Sequence, residues 1–288
     1  MGIPFPDIDP VIIEIGPFAL RWYALGYIGG LVFAWWYVRR MLADAALWQA
    51  APFNGQAPAK NEDIDDLIVW ATLGVIAGGR IGYLLFYGFV YSPGYYFENP
   101  LRIFALWEGG MSFHGGALGV IVAVIVFSMR RGLDMVMLGD LVAAATPIGI
   151  FLVRMTNFVN AELWGKPADV PWAIIFCNET IRAAHGGTCP AGEMPRHPSQ
   201  IYEGLLEGIV IFLVLRLMIK MFSALNRPGL VIAAFMGFYG LFRILVEIFF
   251  RDSDQLVGGT ALTMGTLLSL PMWLGAAFFF WYSQRKPA

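Results

Sequence analysis

Arg80, Arg154 and Arg243 each stand inside a long apolar stretch, and so do Glu203, Glu207 and Glu247. Tyr23, His114, Asn157, Asn160 and Glu162 fall near the ends of such stretches. A guanidinium presents a planar fork of N–H donors that matches the oxygens of a phosphate. Charge placed in an apolar medium costs from about 2.5 kcal/mol upward, so it normally faces a protein interior and serves a function. One such arginine would serve as a structural staple; three on separate stretches suit the phosphate of a lipid head group better. Plainer roles stand beside this one. Arg243 and Glu247 are spaced i, i+4 and can neutralise each other along one helix. Arg154, Asn157 and Asn160 share a helix face, where they would act as interhelical glue. Arg80 follows Gly74, Gly78 and Gly79 and precedes Gly82, small residues that let two helices approach, and a carboxylate such as Glu203 or Glu207 is its expected partner. His114 is either a hydrogen-bonded structural histidine or, given its depth among the arginines, a functional one. His197 reads as structural, with Ser199 as the expected cap of the helix that follows.

These residues need a membrane scaffold. Of the 288 residues 58% are hydrophobic and only 14% charged, against roughly 25% charged in soluble domains. The mean hydropathy is +0.64. A net charge of −2 gives no general attraction to nucleic acid. No basic stretch precedes an apolar core at the N-terminus, so no cleavable signal peptide is expected. Apolar runs of about 20 residues suit a hydrocarbon core, and they occur near Pro17–Val38, Ile64–Tyr87, Met111–Met129, Leu138–Val159, Pro198–Ile219, Gly229–Phe250 and Ala261–Tyr282. The expected fold is all-α: a polytopic membrane protein of about seven transmembrane helices, forming a single domain over 1–288. The weaker apolar run Asp9–Ile15 is too short to span and is expected at the interface. Arg39, Arg40, Lys60, Arg130, Arg131, Lys220, Arg227, Arg285 and Lys286 all follow odd-numbered spans. Positive charge marks the cytoplasmic side, so the N-terminus is expected outside and the C-terminus in the cytoplasm. The segments 91–106, 161–197 and 251–259 then lie outside, the second as a long periplasmic insertion. It carries Cys177 and Cys189, which either form a disulfide or remain two free thiols. On this topology the polar residues form one layer nearer the outer face.

Signatures of other chemistry are missing. The chain has no His-Glu-x-x-His helix, no Gly-x-Ser-x-Gly elbow and no phosphate-binding loop with Lys-Ser/Thr. No acidic cluster suggests a divalent metal, so neither a metal nor a cofactor is expected, and the nucleophile would come from a substrate or water. A lipid or anion transporter would need a polar path through the inner half of the spans, where almost no polar residue falls. A phosphatidyl transferase would commonly need acidic residues holding a metal.

Six segments carry a resemblance to one family. They are Arg21-Trp22-Tyr23; Gly78-Gly79-Arg80-Ile81-Gly82-Tyr83; Trp107-Glu108-Gly109-Gly110-Met111-Ser112-Phe113-His114-Gly115-Gly116; Arg154 through Gly165; Arg196-His197-Pro198-Ser199-Gln200-Ile201-Tyr202-Glu203; and Phe242-Arg243-Ile244-Leu245-Val246-Glu247. In this order they resemble the bacterial prolipoprotein diacylglyceryl transferases. Val153 and Thr156 stand where the family usually has glycine, and Ile248–Arg251 looks one residue longer than the common pattern. The resemblance implies a protein of the bacterial inner membrane with its active site towards the periplasm. It implies transfer of diacylglyceryl from phosphatidylglycerol to the lipobox cysteine of a prolipoprotein signal peptide, with a thioether formed and glycerol 1-phosphate released. On that basis Arg154 and Arg243 are expected to hold the phosphate and His114 to act as general base or to orient the thiol. Tyr23, Arg80, Asn157, Asn160, Glu162, Glu203 and Glu247 are expected to position the lipid or support the arginines, and Gly165 to permit close backbone approach.

Overall fold

The computed structural model describes residues 2–16, 18–91, 93–105, 109–252 and 263–285. Trp107, Glu108, Lys286, the outer segment after Asp252 and the start of the last expected span lie outside the described residues. A short β1 (Ile3–Pro4) is followed by an antiparallel hairpin of β2 (Val11–Ile15) and β3 (Phe18–Arg21). Then come α1 (Trp22–Leu42), α2 (Asn61–Tyr83), which runs on through a π-helical turn at Leu84–Gly88, and the short α3 (Phe89–Tyr91) and α4 (Pro93–Glu98). The long α5 (Phe113–Arg131) and α6 (Met135–Val159) follow, then β4 (Ile174–Ile175), α7 (Glu179–Ala184) and α8 (Ser199–Glu203). A π-helical segment, Gly204–Val210, carries α8 into α9 (Ile211–Phe222), and α10 (Leu230–Phe249) and α11 (Met264–Arg285) complete the chain.

The protein is thus mostly helical, with two small two-stranded sheets among the described residues. Among the described residues, five helices are long and apolar enough to cross a membrane: Asn61–Gly88, Phe113–Arg131, Met135–Val159, Leu230–Phe249 and Gly265–Arg285. Two of the expected spans fall outside that set for physical reasons. Trp, Tyr and Gly, with Arg39 and Arg40, lower the hydropathy of α1. The run from Ser199 to Phe222 carries Glu203, Glu207, Arg216 and Lys220, more charge than the apolar 18-residue stretch of any of the five long helices holds. The first helix also starts later than Pro17, because the hairpin takes up the chain through Arg21, turning at Gly16 with φ +59°.

The chain separates into two compact units, residues 1–37 with 140–288, and residues 38–139. In the second, α2 and α5 pack backbone to backbone. A Cβ on Gly78 would lie 2.3 Å from the Gly115 carbonyl oxygen, and one on Gly119 would lie 2.0 Å from that of Gly74, so the glycines four apart serve close packing. Arg131 pairs with Asp66 and, at 3.7 Å, with Asp63. In the first unit, the fully buried Asp140 accepts from the N–H groups of Gly229 (2.7 Å) and Ile232 (2.8 Å), closing the N-terminus of α10. The segment 161–197 has its own small core, where Phe5, Ile174, Phe176 and Ile181 pack with Phe158 and Trp164. Cys177 and Cys189 are joined in a disulfide across this segment, with Cα atoms 5.4 Å apart.

Candidate active site

Close packing of α6 against the π-helical segment creates the main polar cluster. A Cβ on Gly208 would sit 2.6 Å from that of Phe151, and one on Gly204 would sit 3.3 Å from that of Arg154. The backbones therefore lie near enough for Arg154 to reach two carboxylates of the opposing run. Its Nη2 is 2.7 Å from Glu203 Oε2 and 3.4 Å from Glu207 Oε2. From α10, Arg243 donates to Glu203 Oε2 at 3.0 Å and to Glu247 Oε2 at 2.7 Å. The i, i+4 pairing of Arg243 with Glu247 is therefore real, yet it is only part of a wider network. Arg251 adds a third guanidinium, with Nη1 2.9 Å from Glu203 Oε1 and Nε 3.8 Å from Glu247 Oε2. The carboxylates form the buried side: Glu203 is 1%, Glu207 0% and Glu247 3% exposed, whereas Arg154, Arg243 and Arg251 are 13–15% exposed. The guanidinium groups are thus the more accessible side of the cluster.

Arg251 was legible in sequence only as a charge beyond a helix end. The insertion holds it: Gly165 bridges to Arg251, its N–H donates to the His197 carbonyl at 2.9 Å, and the Lys166 N–H donates to the Phe250 carbonyl at 2.8 Å. A Cβ at Gly165 would lie 2.5 Å from the Phe250 oxygen and 2.6 Å from the His197 oxygen, so no larger residue fits. Arg196, which donates to the Gly165 carbonyl and pairs with Asp252 at 2.5 Å, clamps the same strand of chain. Tyr239, one helical turn before Arg243, is a further member; the charges acting on its hydroxyl are those of Glu207, Arg154, Arg243 and Glu203.

A second polar group lies at the C-terminal end of α6. Asn157 Nδ2 donates to Glu162 Oε1 at 2.7 Å, and Asn160 Nδ2 approaches the same oxygen at 3.4 Å. Gln200, fully buried, donates to the Glu162 carbonyl at 2.5 Å. The Tyr23 and Tyr27 rings meet tilted at 51° with centroids 5.3 Å apart, and Arg154 and Glu162 are among the charges acting on the Tyr27 hydroxyl. Side-chain oxygens of Asn160, Gln200 and Glu207 are buried without a protein hydrogen-bond partner. Ser199 does not cap its helix. Pro198 occupies the cap position, and the Ser199 hydroxyl donates to the Leu163 carbonyl at 2.9 Å, tying the insertion to α8. Burial holds the His197 imidazole below the usual histidine range.

Arg80 and His114 belong to the second unit. Arg80 has backbone partners in place of the expected carboxylate. It donates to the carbonyls of Ile103 (2.8 Å), Arg102 (2.5 Å), Gly109 (2.7 Å) and Gly110 (3.2 Å). Its guanidinium so fastens the chain between α4 and α5. Four carbonyl dipoles satisfy the donors of a buried cation without bringing in an opposite charge. His114 is exposed on the first turn of α5, its ring 5.7 Å from that of Phe113, and the Ser112 hydroxyl caps that turn by accepting from Gly115 N–H.

Comparison with known proteins covers nearly the whole chain. A family model described as prolipoprotein diacylglyceryl transferase matches residues 10–282. Among curated proteins, the phosphatidylglycerol–prolipoprotein diacylglyceryl transferase of Phenylobacterium zucineum is 48% identical, covering 99% of this chain and 96% of its own. That of Mesorhizobium japonicum is 51% identical over 94% of this chain and 89% of its own. That of Brucella anthropi is 47% identical over 100% and 96%. With the match spanning nearly its full length, the chain belongs to the prolipoprotein diacylglyceryl transferase family.

Proposed function

We propose that this protein transfers the diacylglyceryl group of phosphatidylglycerol to the lipobox cysteine thiol of a prolipoprotein. The observation that carries the site assignment is the cluster of Arg154, Arg243 and Arg251 with its carboxylates on the buried side. In the reaction the cysteine sulfur attacks the glyceride carbon that bears the phosphate ester. A carbon–sulfur bond forms, the carbon–oxygen bond breaks, and glycerol 1-phosphate leaves with the bonding electrons. Arg154 and Arg243 bind the phosphate and stabilise the charge that grows on it as the bond breaks. Arg251, placed by Gly165, supports them through Glu203 and Glu247.

A free cysteine has a pKa of about 8.5, so the thiol needs a base or a positive field at neutral pH. The family resemblance gives that task to His114, as general base or as the group that orients the thiol. Arg80 supports the chain leading to His114 through its backbone carbonyl bonds. Tyr23, Asn157, Asn160 and Glu162 position the head group. The protein spans the bacterial inner membrane about seven times, with the N-terminus and the insertion outside, the C-terminus in the cytoplasm and the site towards the periplasm. The lysine and arginine distribution supports this orientation.

The test uses purified protein, phosphatidylglycerol labelled in its glyceride, and a lipobox peptide. Label should pass to the peptide with an equal amount of glycerol phosphate released, in the presence of a chelator. Transfer to a peptide with serine in place of the cysteine, or no transfer at all, would overturn the proposal.

A further inference from the structure

Glu207 is paired differently from the other carboxylates of the cluster. Glu203 meets arginines through both oxygens, at 2.9 Å from Arg251 and 2.7 Å from Arg154. Glu247 meets Arg243 at 2.7 Å. Glu207 is fully buried in the π-helical segment; its Oε2 makes one long contact of 3.4 Å with Arg154, and its Oε1 has no protein hydrogen-bond partner. π-Helical turns inside α-helices are often found at functional sites. The charged and titratable groups facing Glu207 are Arg154 from α6, Glu203 from the turn before it, and Arg243 and Tyr239 from α10.

Charge counting then constrains its state. With every group ionised, Arg154, Arg243 and Arg251 are matched one for one by Glu203, Glu207 and Glu247, and the cluster has no net charge to offer an anion. With Glu207 neutral, one positive charge is left over, which matches a single phosphodiester. A buried ionised carboxylate lacking partners on one oxygen is also costly, whereas the acid form turns that oxygen into a hydrogen-bond donor. We propose that Glu207 carries a proton when the cluster holds an anionic phosphodiester, so that head-group binding takes up one proton from solvent. This rests on reading the arginines as the phosphate site. A phosphodiester stays singly charged across the neutral range, so the lipid does not itself supply this pH dependence.

Calorimetric titration of the full-length protein in detergent with phosphatidylglycerol micelles tests the proposal. Wild-type affinity should fall as pH rises, approaching about tenfold per pH unit at the alkaline end. Heats in buffers of different ionisation enthalpy should report proton uptake rising towards one per lipid. Glu207→Gln fixes a neutral side chain of the same shape, and should lose both the pH dependence and the uptake. Should that variant fail to fold, the wild-type proton count decides the matter. Binding that is pH-independent in the wild type, yet lost in Arg154→Ala, overturns this inference alone, as does a pH dependence unchanged in Glu207→Gln. No binding at any pH overturns the phosphate site and this inference together.

Discussion

At the residue scale the site is an arginine–carboxylate network before it is a lipid site. Glu203 holds three guanidinium groups, from Arg154, Arg243 and Arg251, on one nearly inaccessible carboxylate. Removing it would leave three like charges facing one another. Breaking a buried pair in this way costs about 3–5 kcal/mol. Glu203→Ala should therefore lower the melting temperature in detergent markedly, with Glu203→Gln intermediate; an unchanged melting curve for Glu203→Ala would show that the network holds nothing together. Arg251, beyond a helix end, did not stand out in sequence, whereas Arg154, Arg243, Glu203, Glu207 and Glu247 were legible there because charge is rare in apolar runs. Their partners were not. Two stretches far apart in sequence can place a carboxylate at any arginine, and Arg80 found backbone carbonyls where a glutamate was expected. His114 has a separate expected role, the thiol base. For His114→Gln, the acid limb of the pH–rate profile should disappear along with most of the turnover, and an unchanged profile would remove it from proton transfer.

At the element scale, what composition conveys is length and hydropathy, and these located the long helices to within a few residues. The π-helical segment at Gly204–Val210 left no such mark, because widening one turn of a helix changes no residue type. The same holds for the hairpin of β2 and β3, whose strands are each too short to show an alternation. Asp140 is another feature that composition hides. It sits fully buried near the start of α6, on the half of the span where almost no polar residue was expected, and it closes the first turn of α10. Its charge satisfies N–H groups at the positive end of that helix. Asp140→Ala should destabilise the protein by about 1–2 kcal/mol, seen as a lower unfolding midpoint with little change in the KM for lipid. A raised KM at unchanged stability would place Asp140 in the site instead.

For the whole molecule, orientation decides which substrates can reach the cluster. Both cysteines of the chain lie in the insertion, joined to each other. In cells with a permeabilised outer membrane, an impermeant thiol reagent should label them after reduction. A cysteine placed at Gln284 should resist labelling until the inner membrane is opened; the opposite pattern would invert the topology. Once orientation is known, the chemistry rests on whether the guanidinium cluster binds the departing phosphate. The deciding measurement is the single-turnover rate of diacylglyceryl transfer to a lipobox peptide by wild type, Arg154→Ala and Arg243→Ala, each shown to be folded by its melting curve. Loss of a preorganised charge stabiliser predicts rates lower by about 100-fold or more in both variants. Wild-type rates in both would contradict the assignment of these arginines to the leaving phosphate.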